Sequence, residues 1–285
     1  MAKVYAITNQ KGGVGKTTTC VNLAASLVAI KKRVLLIDLD PQGNATMGSG
    51  VSKNEVERSV YDVLVHQTNI RDVQQPSPSG HFNVLPANSD LTAAEVQLLD
   101  VEDKEQRLNY AVEVVRGDYD YILIDCPPSL NMLTVNALVA CDSVLIPMQC
   151  EYYALEGLSS LLNTIEQIQT HANPALTIEG ILRTMYDPRS SLTMEVSGQL
   201  VEFFGEKVYR ACIPRNVRLA EAPSFGQPAL VYDRQSKGAM AYLALAGEFV
   251  RRSQEDANQQ NTRQQRPTHP SSTNNDQDYA NHKLA

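Results

Sequence analysis

Short apolar runs alternate along the chain with longer stretches of mixed polarity. Five of these runs are continuously rich in Val, Ile and Leu, a pattern typical of strands that are covered on both faces of a sheet. The predicted strands are residues 4–8, 34–38, 121–125, 143–147 and 178–185. Helical patterns occupy the stretches between and around them, at residues 17–30, 130–140, 155–171, 193–204 and 239–252. This alternation predicts an α/β fold, a doubly wound, mainly parallel sheet with helices on both faces.

Two segments depart from that alternation. Residues 51–118 show charged helical patterns around one short apolar run at 82–85, which indicates an elaboration of the same domain. After Arg252 the composition changes to Gln, Asn, Ser, Thr and Pro, and such a sequence buries too little apolar area to offset an ordering cost of about 1–2 kcal/mol per residue. We therefore predict one domain over residues 1–252 and a disordered polar tail over 253–285.

Composition narrows the class of protein. Hydrophobic residues make up 43% of the chain without a long uninterrupted apolar run, and the N-terminus lacks the pattern of a secretory signal, so a cytoplasmic location is expected. The five cysteines are widely spaced and form no CxxC pair. Cys126 follows an acidic residue at a predicted strand end, where an iron-sulfur ligand or a reactive thiol is an alternative, but we favour simple packing.

Charge leaves nucleic-acid binding open. The net charge is −7, and residues 51–118 hold 12 acidic but only 6 basic side chains. Contact with nucleic acid therefore requires a local basic patch, because the chain as a whole is acidic.

The strongest local motif is the glycine-rich loop at residues 11–17, which lies between the first predicted strand and the first predicted helix. In that position, successive backbone N–H groups and a helix N-terminus bind polyphosphate. Lys16 is expected to reach the β and γ phosphates of ATP, and the Thr17 hydroxyl to join the Mg²⁺ shell. Gln10 stands where the ordinary pattern has Gly, and a second lysine follows it. The residues expected to bind the nucleotide are Lys11, Gly12, Gly13, Val14, Gly15, Lys16, Thr17 and Thr18.

Carboxylates end two of the predicted strands. A phosphate-loop enzyme needs such groups near the metal and near the attacking water. Asp125 ends the third strand and is expected to bind Mg²⁺, through water. Asp38 and Asp40 close the second strand. By alternation they point the same way, so at least one of them is expected to face the phosphates.

Five ordered blocks of sequence resemble one family. They read KGGVGKTTT from Lys11, DLDPQGNAT from Asp38, YDYILIDCPPS from Tyr119, QCEYYALEGL from Gln149 and IPRNVRLAEAPSFGQP from Ile213. Together they look like the ParA/Soj branch of the deviant Walker A ATPases, close relatives of MinD, over about residues 3–252. The resemblance implies an ATPase with ATP and Mg²⁺ as cofactors.

The resemblance also implies roles for single residues at the nucleotide. Lys11 matches the signature lysine that reaches the partner's phosphates across an ATP-sandwich homodimer, and Gly12 lies in that interface. Asp40 matches the carboxylate that positions the attacking water. Pro214 and Asn216 match the adenine pocket, although Asn216 is equally consistent with an ordinary turn residue.

Members of this branch bind double-stranded DNA without sequence preference as ATP-bound dimers, and a ParB-like partner stimulates their hydrolysis. Arg189 and Arg218 match positions used for DNA contact, with Arg183, Arg215 and Lys237 as plausible neighbours. The leading hypothesis is accordingly a nucleoid-associated ATPase that partitions a chromosome or a plasmid.

Two other functions are compatible with an ATP switch of this kind. A MinD-like regulator would use the same ATP switch at a membrane surface, but the polar tail is a poor amphipathic anchor, so no membrane partner is expected. A metabolic enzyme on the same scaffold would couple ATP to a small substrate or reduce one through an iron-sulfur cluster, and the cysteine spacing disfavours the second form.

Overall fold

A computed structural model describes the backbone of residues 1–264 and the side chains of residues 1–255. Its centre is one eight-stranded sheet in the order β3-β4-β2-β5-β1-β6-β7-β8. Every neighbouring pair of strands is parallel except β3 and β4, which are antiparallel. The strands are β1 (Lys3–Ile7), β2 (Val34–Asp38), β3 (Gln75–Pro76), β4 (Asn83–Leu85), β5 (Tyr121–Asp125), β6 (Ser143–Gln149), β7 (Thr177–Tyr186) and β8 (Val208–Pro214).

Helices connect the strands and cover the sheet, as parallel connections require. They are α1 (Lys16–Ala29), α2 (Asn44–Gly48), α3 (Val60–His66), α4 (Ile70–Val73), α5 (Leu91–Gln97), α6 (Arg107–Val115), α7 (Met132–Ala140), α8 (Ala154–His171), α9 (Ser191–Phe204), α10 (Val217–Glu221), α11 (Ala229–Tyr232) and α12 (Lys237–Gln264).

The middle of the sheet is buried on both faces. All five residues of β2 and all five of β5 are buried, and four of the five in β1 are as well. Continuous Val, Ile and Leu runs suit this environment, because both faces of each strand pack against helices. The predicted α/β, doubly wound, mainly parallel fold is thereby confirmed, and the carboxyl ends of β1, β2 and β5 meet at one edge of the sheet.

The structure adds strands that the pattern did not predict. β8 was missed because the exposed Arg210 interrupts its apolar run on an edge strand. The short apolar run at 82–85 supplies β4, and with β3 it joins the same sheet. The segment 51–118 thus extends the main sheet.

The C-terminal helix corrects the predicted start of the tail. α12 continues past Arg252 to Gln264, although the sequence predicted disorder from residue 253. No Gly or Pro occurs between Gly247 and Pro267, and Gln, Glu and Arg are compatible with a helix even where no core can form. Residues 1–248 form one compact unit, and the described residues from Phe249 onward belong to a second. The remainder of the predicted tail, 265–285, lies outside the described residues.

None of the helices in the described part combines the length and the apolar character that crossing a membrane requires.

Candidate functional site

The loop between β1 and α1 is held in place by hydrogen bonds with the neighbouring strands β6 and β7. Asn9 is buried, donates to the Pro147 carbonyl at 2.9 Å and accepts from the Lys11 N–H at 3.0 Å. On the other side, the Thr184 hydroxyl of β7 donates to the Val14 carbonyl at 2.8 Å. The loop is therefore fixed by protein contacts at both ends, which is the preorganisation that a phosphate cradle needs.

Glycines set the shape of this loop. Gly13 and Gly15 have φ values of 75° and 88°, in the left-handed region where a β-carbon is strained. At Gly12, a β-carbon would meet no atom within 4 Å, so this residue borders open space. The predicted loop residues thus form one continuous turn that runs into α1 at Lys16.

Lys16 points back over the loop. It is only 7% exposed, and its Nζ donates to the Lys11 carbonyl at 3.2 Å. Burial lowers the pKa of this lysine, while the nearby carboxylates of Asp125 and Asp40 raise it. A phosphate at the centre of the loop would therefore meet a cation that is already held in position.

Asp125 ends β5 beneath the loop with one oxygen unsatisfied. It is fully buried, its Oδ1 accepts from the Cys20 thiol at 3.4 Å, and its Oδ2 has no hydrogen-bond partner within the described part. Burial raises the pKa of Asp125 to about 8, the charge of Asp38 adds to that rise, and the nearby Thr17 hydroxyl opposes it. A buried carboxylate oxygen without a partner beside a Thr hydroxyl fits Mg²⁺ or a water of its shell.

Asp38 and Asp40 have different environments. Asp38 is fully buried and accepts from the Thr46 N–H at 2.8 Å and the Thr46 hydroxyl at 2.7 Å, so it fixes the start of α2. Burial raises its pKa to about 6. Asp40 is partly exposed, accepts from the Gln42 N–H at 3.0 Å and lies near enough to Lys16 to influence its pKa. Of the two, Asp40 is the carboxylate available to a ligand.

The two residues that depart from the ordinary phosphate loop both contact the α8 region. The Gln10 side chain bonds to Ser160 at 3.1 Å and to Thr164 at 3.4 Å, both on α8. Lys11 Nζ donates to Glu151, just before α8, at 2.6 Å. Sequence reasoning did not single out Glu151, because nothing local signals a contact between residues so far apart in the chain.

Pro214 and Asn216 lie at the end of β8. Pro214 pairs with Tyr186 of β7, and Asn216 precedes α10 without capping it by its side chain. The Asn216 Oδ1 is buried and has no hydrogen-bond partner in the described part. Gly238 lies against it, since a β-carbon there would stand 3.1 Å from that oxygen. An unsatisfied amide oxygen at this position suits an amino group such as that of adenine.

The predicted basic residues differ in accessibility. The Arg189 side chain is 88% exposed and pairs with Asp187 in its own loop. Arg218 is half-exposed and pairs with Glu221 and Asp233. Arg183 is held internally by the Ser197 hydroxyl and the Tyr209 carbonyl, so the structure does not favour it as a neighbouring DNA contact. Arg215 is exposed, and Lys237 begins α12.

The cysteines lie apart from any metal cluster. Cys126 is buried in the main hydrophobic core, and burial raises the pKa of its thiol. Within the residues that the structure describes, no group of three or more His, Cys, Asp or Glu side chains is arranged to hold a metal ion.

Comparison with known proteins assigns the family. An AAA domain family matches residues 2–178. The sporulation initiation inhibitor protein Soj of Bacillus subtilis is 55% identical, over 88% of this chain and 99% of that protein. The chromosome partitioning protein ParA of Caulobacter vibrioides is 49% identical, over 88% of this chain and 94% of that protein.

Solved structures agree with the fold. A cobyrinic acid a,c-diamide synthase from Mycobacterium smegmatis with bound ADP and magnesium superposes with a TM-score of 0.79 at 36% identity, over 89% of this chain and 96% of that one. The cell division ATPase MinD of Pyrococcus furiosus superposes with a TM-score of 0.74 at 26% identity, over 88% and 99%. With relatives of this identity and coverage, the chain belongs to the ParA/Soj family of partitioning ATPases.

Proposed function

We propose that this ATPase partitions DNA by forming an ATP-bound sandwich dimer that holds double-stranded DNA without sequence preference. The observation that carries the proposal is that two lysines of the phosphate loop differ in position and exposure. Lys16 is buried over its own loop, whereas Lys11 is exposed on the open face that Gly12 borders. A second cation that does not fold back over its own loop suits the phosphates of a second copy.

The nucleotide would be bound by groups from several strand ends. Thr17 and Asp125 would hold Mg²⁺, which neutralises phosphate charge, with Asp125 acting through water; the unsatisfied Asp125 Oδ2 supports this role. Asn216, with Pro214 beside it, would recognise adenine. Asp40 would position the water that attacks the γ phosphate, because it is the accessible carboxylate near Lys16.

The DNA surface would be formed by Arg189 and Arg218, with Arg215 and Lys237 as neighbours. Guanidinium groups are suited to phosphate oxygens because their planar donors match the geometry of the anion. Hydrolysis stimulated by a ParB-like partner would separate the dimer and release the DNA. Such a cycle places the protein on the nucleoid while ATP is bound.

Retention on a long DNA of arbitrary sequence, with ATP and with ADP, tests the DNA step. Wild-type chain should be retained with ATP only, and Arg189→Glu should weaken retention with a smaller dependence on salt. Arg33→Glu is the matched control, because Arg33 is also exposed and ion-paired but precedes β2, at the amino end of the parallel strands. Equal retention of all three proteins under both nucleotides would refute the DNA step.

The partner step needs a separate measurement. A ParB-like protein added to the ATP-loaded, DNA-bound chain should accelerate phosphate release and shorten the time on DNA. If phosphate release stays at its basal rate at every partner concentration, the partner step is wrong.

A further inference from the structure

Arg189 and Arg218, the two arginines of the proposed DNA surface, each form ion pairs with carboxylates of the same chain. Arg189 binds Asp187 in a two-point geometry, with Nε to Oδ1 at 3.0 Å and Nη2 to Oδ2 at 2.9 Å. The same Oδ1 accepts from the Arg189 N–H at 3.0 Å. This is the paired arrangement in which a guanidinium would otherwise bind two oxygens of a phosphate.

Arg218 is held by two carboxylates from different elements. Its Nη1 lies 2.7 Å from Glu221 Oε2 on α10, and its Nε lies 3.2 Å from Asp233 Oδ2, just after α11. The Tyr232 hydroxyl also donates to Glu221 at 3.3 Å. Two negative charges therefore surround one positive charge on this part of the surface.

We propose that Asp187, and Glu221 with Asp233, compete with DNA phosphate for Arg189 and Arg218, so that the surface of a single chain holds DNA only weakly. The inference rests on the proposed function and adds a control of the affinity at the same surface. Because a single chain binds DNA weakly, retention on DNA depends on the DNA surfaces of both chains of the dimer acting together. Separation of the dimer is then sufficient for release.

Electrostatics at Asp187 supports this role. Hydrogen bonds from Arg189 lower the pKa of Asp187 to about 2, and the charge of Arg215 contributes in the same direction. Asp187 therefore remains charged at neutral pH, and it is paired with Arg189. A phosphate that approaches Arg189 has to displace this carboxylate and is repelled by it.

The test removes the competing charge and keeps the shape of the loop. Asp187→Asn retains an oxygen that can accept from the Arg189 N–H. Binding of the full-length chain to a labelled duplex is measured across a salt series, with ATP, with ADP and without nucleotide. We expect Asp187→Asn to bind about two- to fivefold more tightly, in line with the range of exposed ion pairs. The triple variant Asp187→Asn/Glu221→Gln/Asp233→Asn should bind DNA with ADP.

Two controls separate competition from a general change in net charge. Asp120→Asn removes the partner of Arg33 and should leave DNA binding unchanged. Adding Arg189→Ala to Asp187→Asn should abolish the gain, because the gain acts through that arginine. Circular dichroism and binding of a fluorescent ATP analogue verify that each variant is folded.

The outcomes distinguish this inference from the function on which it rests. If wild-type chain binds DNA with ATP but Asp187→Asn gains nothing, or gains no more than Asp120→Asn, the competition is wrong and the DNA step stands. If the gain survives Arg189→Ala, the competition is likewise wrong. If no variant binds DNA while ATP hydrolysis is intact, both the DNA step and the inference are refuted.

Discussion

Lys11 Nζ donates a 2.6 Å hydrogen bond to Glu151 Oε2, an ion pair that joins the phosphate loop to the segment before α8. Both side chains are about two-fifths exposed, so water screens the pair and it contributes at most about 1 kcal/mol. The contact nevertheless has a direct consequence. A lysine that is to reach the phosphates of a second chain has first to leave Glu151.

Glu151→Gln should therefore favour the dimer. Removing the charge frees Lys11, and the ATP concentration at the midpoint of dimer formation should fall by up to about fivefold, the equivalent of an exposed ion pair. Sedimentation velocity across an ATP titration measures this midpoint. Glu156→Gln, a neighbouring exposed change on α8, should leave it in place. A higher midpoint for Glu151→Gln would show that the pair assists dimer formation instead.

Substitution of Lys16 and substitution of Lys11 should impair different steps. Lys16→Ala removes the buried cation from the centre of the loop, and binding of ATP should be lost. Lys11→Ala leaves that cation in place, so binding should largely survive while dimer-dependent hydrolysis stops. Equilibrium binding of a fluorescent ATP analogue, together with phosphate release at increasing protein concentration, separates the two. Normal concentration-dependent hydrolysis by Lys11→Ala would remove that residue from catalysis.

The Asp38–Thr46 contact should matter chiefly for stability. Thr46→Val removes the hydroxyl donor to a fully buried carboxylate, and it also leaves the Ala87 N–H, which donates to that hydroxyl at 2.9 Å, without its acceptor. We expect the free energy of unfolding to fall by about 1–3 kcal/mol in urea denaturation. Thr170→Val is the control, because Thr170 is exposed and its hydroxyl donates to the Glu166 carbonyl within α8. A loss no larger than that of the control would contradict the prediction.

The sequence was most informative where one local pattern determines one environment. The runs that form β1, β2 and β5 are buried on both faces, so their composition alone indicated a parallel sheet. Gly13 and Gly15 could also be recognised from the sequence as loop residues. Their left-handed backbone conformation is one that most other residues do not adopt.

Contacts between segments that are distant in the chain could not be predicted from the local sequence pattern. Glu151 and Thr184 were not singled out, yet each binds a residue of the nucleotide loop. An exposed carboxylate has the same local pattern whether or not it has a partner, and only the fold brings the partners together. Asp38 and Asp40 illustrate the same limit. Alternation predicted that their side chains point to the same side of the strand, but it could not show that Asp38 accepts a hydrogen bond from Thr46.

Asp40→Ala should separate ATP binding from ATP hydrolysis. Asp40 is partly exposed near Lys16, and its own hydrogen bond is a local one to the Gln42 N–H, so its loss should cost little stability. Without a carboxylate to position the attacking water, phosphate release should fall by about 10²-fold or more, as for a lost general base. The variant should then accumulate as an ATP-bound dimer retained on DNA, which sedimentation velocity with ATP and labelled duplex detects. The matched comparison is Asp38→Asn, which should instead lower the unfolding midpoint, because the Asp38 Oδ2 accepts from both the N–H and the hydroxyl of Thr46. Wild-type phosphate release by Asp40→Ala would exclude Asp40 as the residue that positions water.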